Sequence, residues 1–248
     1  MTNTPHRFRK AFAWTGVVLF AGALGTGAWF FGVLLARPAA TVPSPAANAV
    51  INVALYVLFA AHHSAMARTR AKRWVTTLVG GGSERSVYVW TASLLFIALC
   101  LLWQPMPGYV WRFEGALGWV ARVVQALGLA VVASSALALD GADLTGLGQL
   151  RGRDDEASGS APSLSPPLDV ISTWGPYGWV RHPIYLGTLL LMVGAPEMTT
   201  GRLLFMVATT VYVVVAIPWE ERTLVSTFGR QYVDYQRQIR WRLVPLVY

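Results

Sequence analysis

Two short polar segments of this chain combine residue types that bind ligands and move protons. The first, residues 174–187, reads Trp-Gly-Pro-Tyr-Gly-Trp-Val-Arg-His-Pro-Ile-Tyr-Leu-Gly and leads into an apolar run. Pro183 suits the first turn of a helix, because the backbone N–H that proline lacks has no intrahelical partner there. His182 then falls at the cap position and shares a helix face with Tyr185. This first polar segment predicts an Arg-His-Tyr cluster at a helix start, and the simpler interpretation is an interfacial arginine and tyrosine.

The second polar segment, residues 218–235, contains two adjacent carboxylates, Glu220 and Glu221, at the end of another apolar run. It continues into Phe-Gly-Arg-Gln-Tyr-Val-Asp-Tyr, residues 228–235. Adjacent carboxylates at the edge of hydrocarbon repel each other unless a cation lies between them. They therefore bind either a cationic ligand or Arg222, and the sequence leaves both interpretations open.

The composition is that of an integral membrane protein. Hydrophobic residues make up 54 % of the 248 residues, charged residues only 13 %, and 11 residues are tryptophan, which is more apolar than a soluble domain. The single cysteine, Cys100, excludes an internal disulfide and a thiolate metal cluster. His62 and His63 are adjacent, so they point about 100° apart on a helix, and no metal site is expected.

The apolar runs predict an all-α, polytopic membrane bundle of about six segments in one domain, residues 1–248. Four spans lie within residues 1–139, namely 11–36, 46–67, 86–104 and 116–139. Two shorter segments, 184–195 and 203–217, form a short hairpin within the C-terminal part, residues 174–248. Residues 140–173 are rich in Gly, Ser and Pro, which predicts a cytoplasmic linker, with a lid as the alternative. Apolar and aromatic residues recur on one helical face over 221–235, which predicts a C-terminal amphipathic interfacial helix.

The basic residues predict the orientation. Six segments place 16 of the 20 Lys and Arg on one side of the membrane, and the positive-inside rule assigns that side to the cytoplasm. Both termini, the central loop and both polar segments then lie there. Orientation and attraction to anionic membrane lipid explain the net charge of +8, so no nucleic-acid partner is expected.

In this order, the two polar segments resemble the C-terminal half of the isoprenylcysteine carboxyl methyltransferase superfamily. The pattern is Arg-His-Pro-x-Tyr-x-Gly, a short hairpin, Glu-Glu-x-x-Leu and Phe-Gly-x-x-Tyr-x-x-Tyr, within residues 174–245. Further segments resemble the methanethiol S-methyltransferase branch of that superfamily: 63–68, 72–74, 84–88, 102–104, 143–149 and 198–201. The Ser/Pro-rich region 151–167 is longer than that branch implies. The resemblance implies an integral enzyme of the bacterial inner membrane that transfers a methyl group from S-adenosyl-L-methionine to methanethiol, producing dimethyl sulfide.

Alternatives to a small thiol remain open. The superfamily also implies carboxyl or amine methyltransferases that act on lipid-like acceptors, and a non-catalytic membrane accessory protein would keep the same scaffold. The glycine-rich stretches 22–27 and 80–82 are not preceded by a strand, so no Rossmann-type cofactor loop is expected. The cofactor site must then be built from membrane helices. The oligomeric state is left open.

The resemblance implies specific contacts to the cofactor. His182 and Tyr185 would contact its methionine end, Glu220 or Glu221 its ammonium or ribose, and two tyrosines its adenosine. The implied cofactor-binding residues are His182, Tyr185, Gly187, Glu220, Glu221, Tyr232 and Tyr235.

The expected catalytic residues are Arg181, His182 and His63. The thiolate is the nucleophile in transfer to sulfur, and positive charge from Arg181 and from the sulfonium lowers the pKa of a nearby thiol. His182, His63 and water are all candidates for the general base. As a polar residue in a predicted span, His63 is a functional candidate, and a hydrogen-bonded packing role is its alternative.

Overall fold

A computed structural model describes residues 6–66, 69–79, 84–138 and 173–248. The N-terminal helices are α1 (His6–Trp29), which continues as a π-helical turn (Phe30–Leu34), α2 (Pro45–Met66), α3 (Thr69–Val79), α4 (Glu84–Leu102) and α5 (Gly115–Leu137). They are followed by a 3-10 turn (Gly175–Gly178), α6 (Pro183–Val193), α7 (Thr200–Phe228) and α8 (Arg230–Gln238). Two short strands are β1 (Tyr109–Arg112) and β2 (Glu197–Thr199). The predicted linker or lid, apart from residue 173, and the glycine stretch 80–82 lie outside the described residues.

Among the described residues, five helices are long and apolar enough to cross a membrane: residues 11–34, 45–66, 85–102, 115–137 and 200–228. The sixth apolar segment, α6, has 11 residues and a length of about 16 Å, which is too short to cross a bilayer alone. The protein is therefore an integral membrane protein, and the prediction of an all-α, polytopic bundle with about six apolar segments is confirmed.

The described helices form two compact units. The first contains α1, most of α2, α3 and α4. In it, the ring of Trp90 stacks on Phe12 with centroids 5.1 Å apart and donates a hydrogen bond to the Phe12 carbonyl at 3.0 Å. The second unit contains α5 to α8 and the two strands. The assignment of residues 1–248 to one domain stays a prediction.

Glycines bring α5 and α6 into backbone contact. A Cβ atom on Gly128 would lie 2.7 Å from the Gly187 carbonyl oxygen, and one on Gly187 would lie 2.7 Å from that of Gly128. A Cβ on Gly194 would lie 2.5 Å from the Gln125 nitrogen. Small residues let membrane helices approach this closely, and the contact fixes the position of α6.

The connection between α6 and α7 is more structured than the sequence indicates. Strand β2 pairs antiparallel with β1, with Trp111 opposite Met198. The Thr199 hydroxyl accepts a hydrogen bond from the Arg202 backbone N–H at 3.1 Å and donates one to the Leu35 carbonyl at 2.6 Å. A side chain at the helix cap and a strand pair therefore fix the start of α7.

Helix α7 continues through Pro218 to Phe228, 11 residues beyond the end predicted for this segment. Both glutamates of the second polar segment therefore lie on α7. Gly229 has a φ of 57°, a left-handed conformation that favours glycine, and it separates α7 from α8. The amphipathic C-terminal helix is present as α8, but the expectation of one continuous helical face over 221–235 is wrong.

Candidate active site

The two polar segments meet in the second unit. Arg181 Nε donates a hydrogen bond to Glu221 Oε1 at 2.6 Å. The two residues are 40 positions apart in the chain, and both are buried, with 9 % and 4 % of their surface exposed. A buried pair of this kind requires close geometry to offset the loss of hydration, so it defines the centre of the candidate site.

The chain after α8 forms one wall of the site. The backbone N–H of Arg181 donates to the Trp241 carbonyl and that of His182 to the Arg242 carbonyl, each at 2.9 Å. Arg181 Nη1 donates to the carbonyls of Ile239 and Arg240 at 2.7 and 3.0 Å. Two backbone hydrogen bonds and two from the Arg181 side chain thus hold the first polar segment against residues 239–242.

Glu221 contacts two further polar side chains besides Arg181. Its Oε2 accepts hydrogen bonds from Gln236 Nε2 at 3.2 Å and forms an ion pair with Arg242 Nε at 3.2 Å. Together with Arg181, two guanidinium groups and one amide satisfy this carboxylate. The sequence assigned no site role to Gln236 or Arg242, although both lie within the region of resemblance, residues 174–245.

Glu220 has a different environment on the neighbouring position of α7. Its Oε2 accepts a hydrogen bond from the Tyr185 hydroxyl at 2.9 Å and lies 3.8 Å from His182 Nδ1. Its side chain is 42 % exposed, whereas that of Glu221 is 5 % exposed. Consecutive helix positions point about 100° apart, so one carboxylate is enclosed by protein and the other is accessible.

His182 occupies the predicted cap position before Pro183, the first residue of α6. Its ring stacks on Tyr185 with centroids 5.6 Å apart and an interplanar angle of 12°. The two stacked rings therefore lie on the same side of the start of α6, as their three-residue spacing predicts.

Two buried polar atoms at the site fit a ligand that supplies hydrogen bonds. His182 Nε2 lies 3.5 Å from Glu221 Oε1, but without the alignment of a hydrogen bond. The Tyr232 hydroxyl is also buried, and among the described residues neither atom has a hydrogen-bond partner. Unpaired buried polar atoms are costly and uncommon. Polar ligand groups at these two atoms would remove this cost.

Tyr235 and Tyr232 line the buried side of α8. The Tyr235 hydroxyl donates to the Tyr177 carbonyl at 2.8 Å, and burial raises the pKa of Tyr235 to about 12. Burial, with the nearby Glu221 carboxylate, raises the pKa of Tyr232 well above its ordinary value. Both phenols are therefore protonated at neutral pH and act as hydrogen-bond donors.

Two further predicted site residues have other surroundings. Gly187 faces Gly128 across the α5–α6 contact, which explains the glycine by packing. His63 belongs to the first unit, where its Nδ1 and the Tyr88 hydroxyl form a hydrogen bond of 2.9 Å. The cofactor role of Gly187 and the catalytic role of His63 stay predictions.

The curated proteins to which the chain is similar include three bacterial ones. It is 39 % identical over 201 residues to methanethiol S-methyltransferase 2 of Bradyrhizobium diazoefficiens, covering 80 % of this chain and 74 % of the relative. It is 37 % identical to methanethiol S-methyltransferase 1 of the same organism, covering 83 % and 70 %. The methanethiol S-methyltransferase of Mycobacterium tuberculosis is 37 % identical, covering 77 % and 75 %. No family model and no solved structure matches the chain.

Proposed function

This chain belongs to the methanethiol S-methyltransferase family, and we propose that it methylates methanethiol with S-adenosyl-L-methionine to give dimethyl sulfide. The protein is a membrane methyltransferase. The observation that supports the site of this reaction is the buried Arg181–Glu221 pair, beside which an exposed carboxylate and two unpartnered polar atoms converge. The names of the relatives support the thiol as the acceptor.

The cofactor supplies, when bound, a methyl group on a positively charged sulfonium. We assign its ammonium group to Glu220, because this side chain is 42 % exposed and accepts its hydrogen bond from a neutral donor, the Tyr185 hydroxyl. Glu221 already forms ion pairs with two guanidiniums, so we assign it a positioning role. The Tyr232 hydroxyl, protonated and buried, is the proposed donor to a cofactor oxygen.

Arg181 acts in this proposal as a positioning residue. Its side chain donates hydrogen bonds to Glu221 and to the carbonyls of Ile239 and Arg240. Arg181 therefore holds the wall of the site in place. Its expected direct action on the thiol stays a prediction, and its charge still favours a nearby thiolate over the thiol.

His182 is the residue we propose as general base. In the tautomer with its proton on Nδ1, the nitrogen next to Glu220, the ring would present Nε2 as a buried acceptor for the thiol proton. The S–H bond breaks as the proton passes to Nε2. The thiolate would then attack the methyl group that the cofactor supplies, and the cofactor would leave as a neutral thioether.

We propose that the site faces the cytoplasm of the bacterial inner membrane. Arg202 and Glu221 are 19 residues apart on α7, which corresponds to about 28 Å along the helix. The candidate site and the β1–β2 pair therefore lie near opposite ends of α7. The end that carries the site is also the end rich in arginine, namely Arg181, Arg222, Arg230, Arg237, Arg240 and Arg242, and the positive-inside rule supports a cytoplasmic position for it.

The acceptor is tested by supplying purified protein with methyl-labelled S-adenosyl-L-methionine and one acceptor at a time. Labelled dimethyl sulfide in the headspace, formed in equal amount to the cofactor consumed, is expected with methanethiol. Label that enters only a prenylcysteine or a phosphatidylethanolamine would favour a lipid-like acceptor instead. Absence of both turnover and cofactor binding by calorimetry would favour an accessory protein.

Replacing Glu220 by glutamine is expected to raise the KM for S-adenosyl-L-methionine about tenfold or more, because a hydrogen bond to a charged group is worth about 1.5–3 kcal/mol. The KM for methanethiol and the melting temperature are expected to change little. Steady-state kinetics with each substrate varied in turn provides the measurement. Glu197→Gln is the matched control, since its side chain is 37 % exposed and lies at the other end of α7. An unchanged cofactor KM in Glu220→Gln would rule out the assigned contact.

A further inference from the structure

Helix α3 is amphipathic, and two of the large side chains on its apolar side are uncovered. Val75 is buried, with 4 % of its surface exposed, whereas Trp74 and Leu78 are each 65 % exposed. Trp74 and Leu78 are four residues apart and therefore lie on one face. Regular helical geometry places all three residues within an arc of about 100°. The protein covers one edge of the apolar arc and leaves the other edge open.

The position of α3 in the chain holds it at the boundary between water and lipid. It begins three residues after the end of α2 and ends five residues before the start of α4, and both neighbours are candidate membrane spans. With 11 residues it is about 16 Å long, too short to cross the bilayer. A short helix between the ends of two spans lies along the membrane surface.

The charge of α3 fits an anionic surface. The helix contains Arg70, Lys72 and Arg73 and no acidic residue. Helical geometry places the positions of Arg70 and Arg73 about 140° and 160° from Val75, and Arg73 is exposed. The position of Lys72 lies about 60° from Val75, at the edge opposite Leu78. A surface helix with a basic polar side and an aromatic and aliphatic apolar side is typical of binding to anionic lipid.

We propose that α3 is a binding surface for anionic phospholipid. Trp74 and Leu78 insert between the acyl chains, and the basic side contacts the headgroup phosphates. This inference is independent of the methyl acceptor, because α3 belongs to the first unit and the candidate site to the second. Its partner is the lipid leaflet that already surrounds the ends of α2 and α4.

The single cysteine of the chain makes the insertion measurable. In a Cys100→Ser background, Leu78→Cys and Thr77→Cys each receive the same fluorescent label and are reconstituted into bilayers of phosphatidylglycerol and phosphatidylcholine. The two positions are adjacent, both exposed, and about 100° apart on the helix. Brominated acyl chains are expected to quench the label at position 78 and to leave the label at 77 largely unquenched. Equal quenching at both positions, or none at either, would overturn the proposal.

The preference for charged lipid is measured with the same label at position 78. The quenching by brominated phosphatidylglycerol relative to brominated phosphatidylcholine gives a relative binding constant, which is expected to exceed one. Combining Arg70→Gln, Lys72→Gln and Arg73→Gln is expected to lower this constant, by at most about fivefold for each charge removed. Arg37→Gln with Arg122→Gln is the control, and it is expected to leave the constant unchanged. A constant of one before and after neutralisation would refute anionic-lipid binding.

Discussion

Glu221→Ala is expected to destabilise the protein by about 3–5 kcal/mol, because it leaves buried cationic groups without their counter-charge. Arg181 is 9 % exposed and donates directly to this carboxylate, and Arg242 contacts its other oxygen. Denaturant or thermal unfolding of the purified protein in detergent measures the loss. Methyl transfer is expected to fall to background in the same preparation. Without the Glu221 carboxylate, the Arg181 side chain loses the group that holds it in the orientation that contacts residues 239–242.

Glu220→Ala is the matched control for this experiment. It removes the same side chain from the next position of α7, but from a site that is 42 % exposed, so the expected loss of stability is below about 1 kcal/mol. Comparing the two alanine variants shows how much stability the enclosed carboxylate contributes relative to the accessible one. Equal unfolding midpoints for both variants would contradict the positioning role of Glu221.

A double-mutant cycle tests whether Arg181 and Glu221 act as one unit. Removing both partners leaves fewer uncompensated buried charges than removing either alone. The double variant Arg181→Ala/Glu221→Ala is therefore expected to lose less stability than the sum of the single variants. Additive losses would mean that the two residues contribute independently. Glu221→Asp adds a second readout, since it keeps the charge and is expected to recover part of the stability and activity.

The membrane spans and the start of α6 were predictable because they depend on local physics. An uninterrupted apolar run has few alternatives to a span, and Pro183 has few favourable positions in a helix other than the first turn. The meeting of the two polar segments also follows from the pattern, because the sequence places them at the open ends of a predicted hairpin. Its two arms return the chain to the same end of the bundle.

Features that depend on long-range contacts were not predictable. The pairing of β1 with β2 joins strands more than 80 residues apart, and each strand alone is too short to show a period. Gln236 and Arg242 reach Glu221 only because Gly229 redirects the chain after α7. Helix α3 was not predicted from the sequence, because it is only 11 residues long and its basic residues are also typical of a connecting segment.

The contact between α5 and α6 leads to the second large prediction. Gly128→Ala is expected to destabilise the protein by about 3 kcal/mol or more, which is the upper range for overpacking. The added Cβ would lie 2.7 Å from the Gly187 carbonyl oxygen and 2.9 Å from the Leu190 carbonyl carbon. These are backbone atoms, so a side-chain rotation cannot relieve the overlap. Thermal unfolding in detergent measures the effect, and Gly25→Ala is the control, since nothing lies within 4 Å of its added Cβ.

The same substitution at Gly187 distinguishes packing from cofactor binding. If Gly187 serves the helix contact, Gly187→Ala is expected to lower the unfolding midpoint about as much as Gly128→Ala, because each Cβ meets the other helix at 2.7 Å. Activity is then expected to fall in both variants, since displacement of α6 moves His182 and Tyr185. If Gly187 instead contacts the cofactor, its variant would keep the normal midpoint and show only a raised KM for S-adenosyl-L-methionine. Gly128 carries no cofactor role, so a large loss of stability shared by both variants would assign Gly187 to packing.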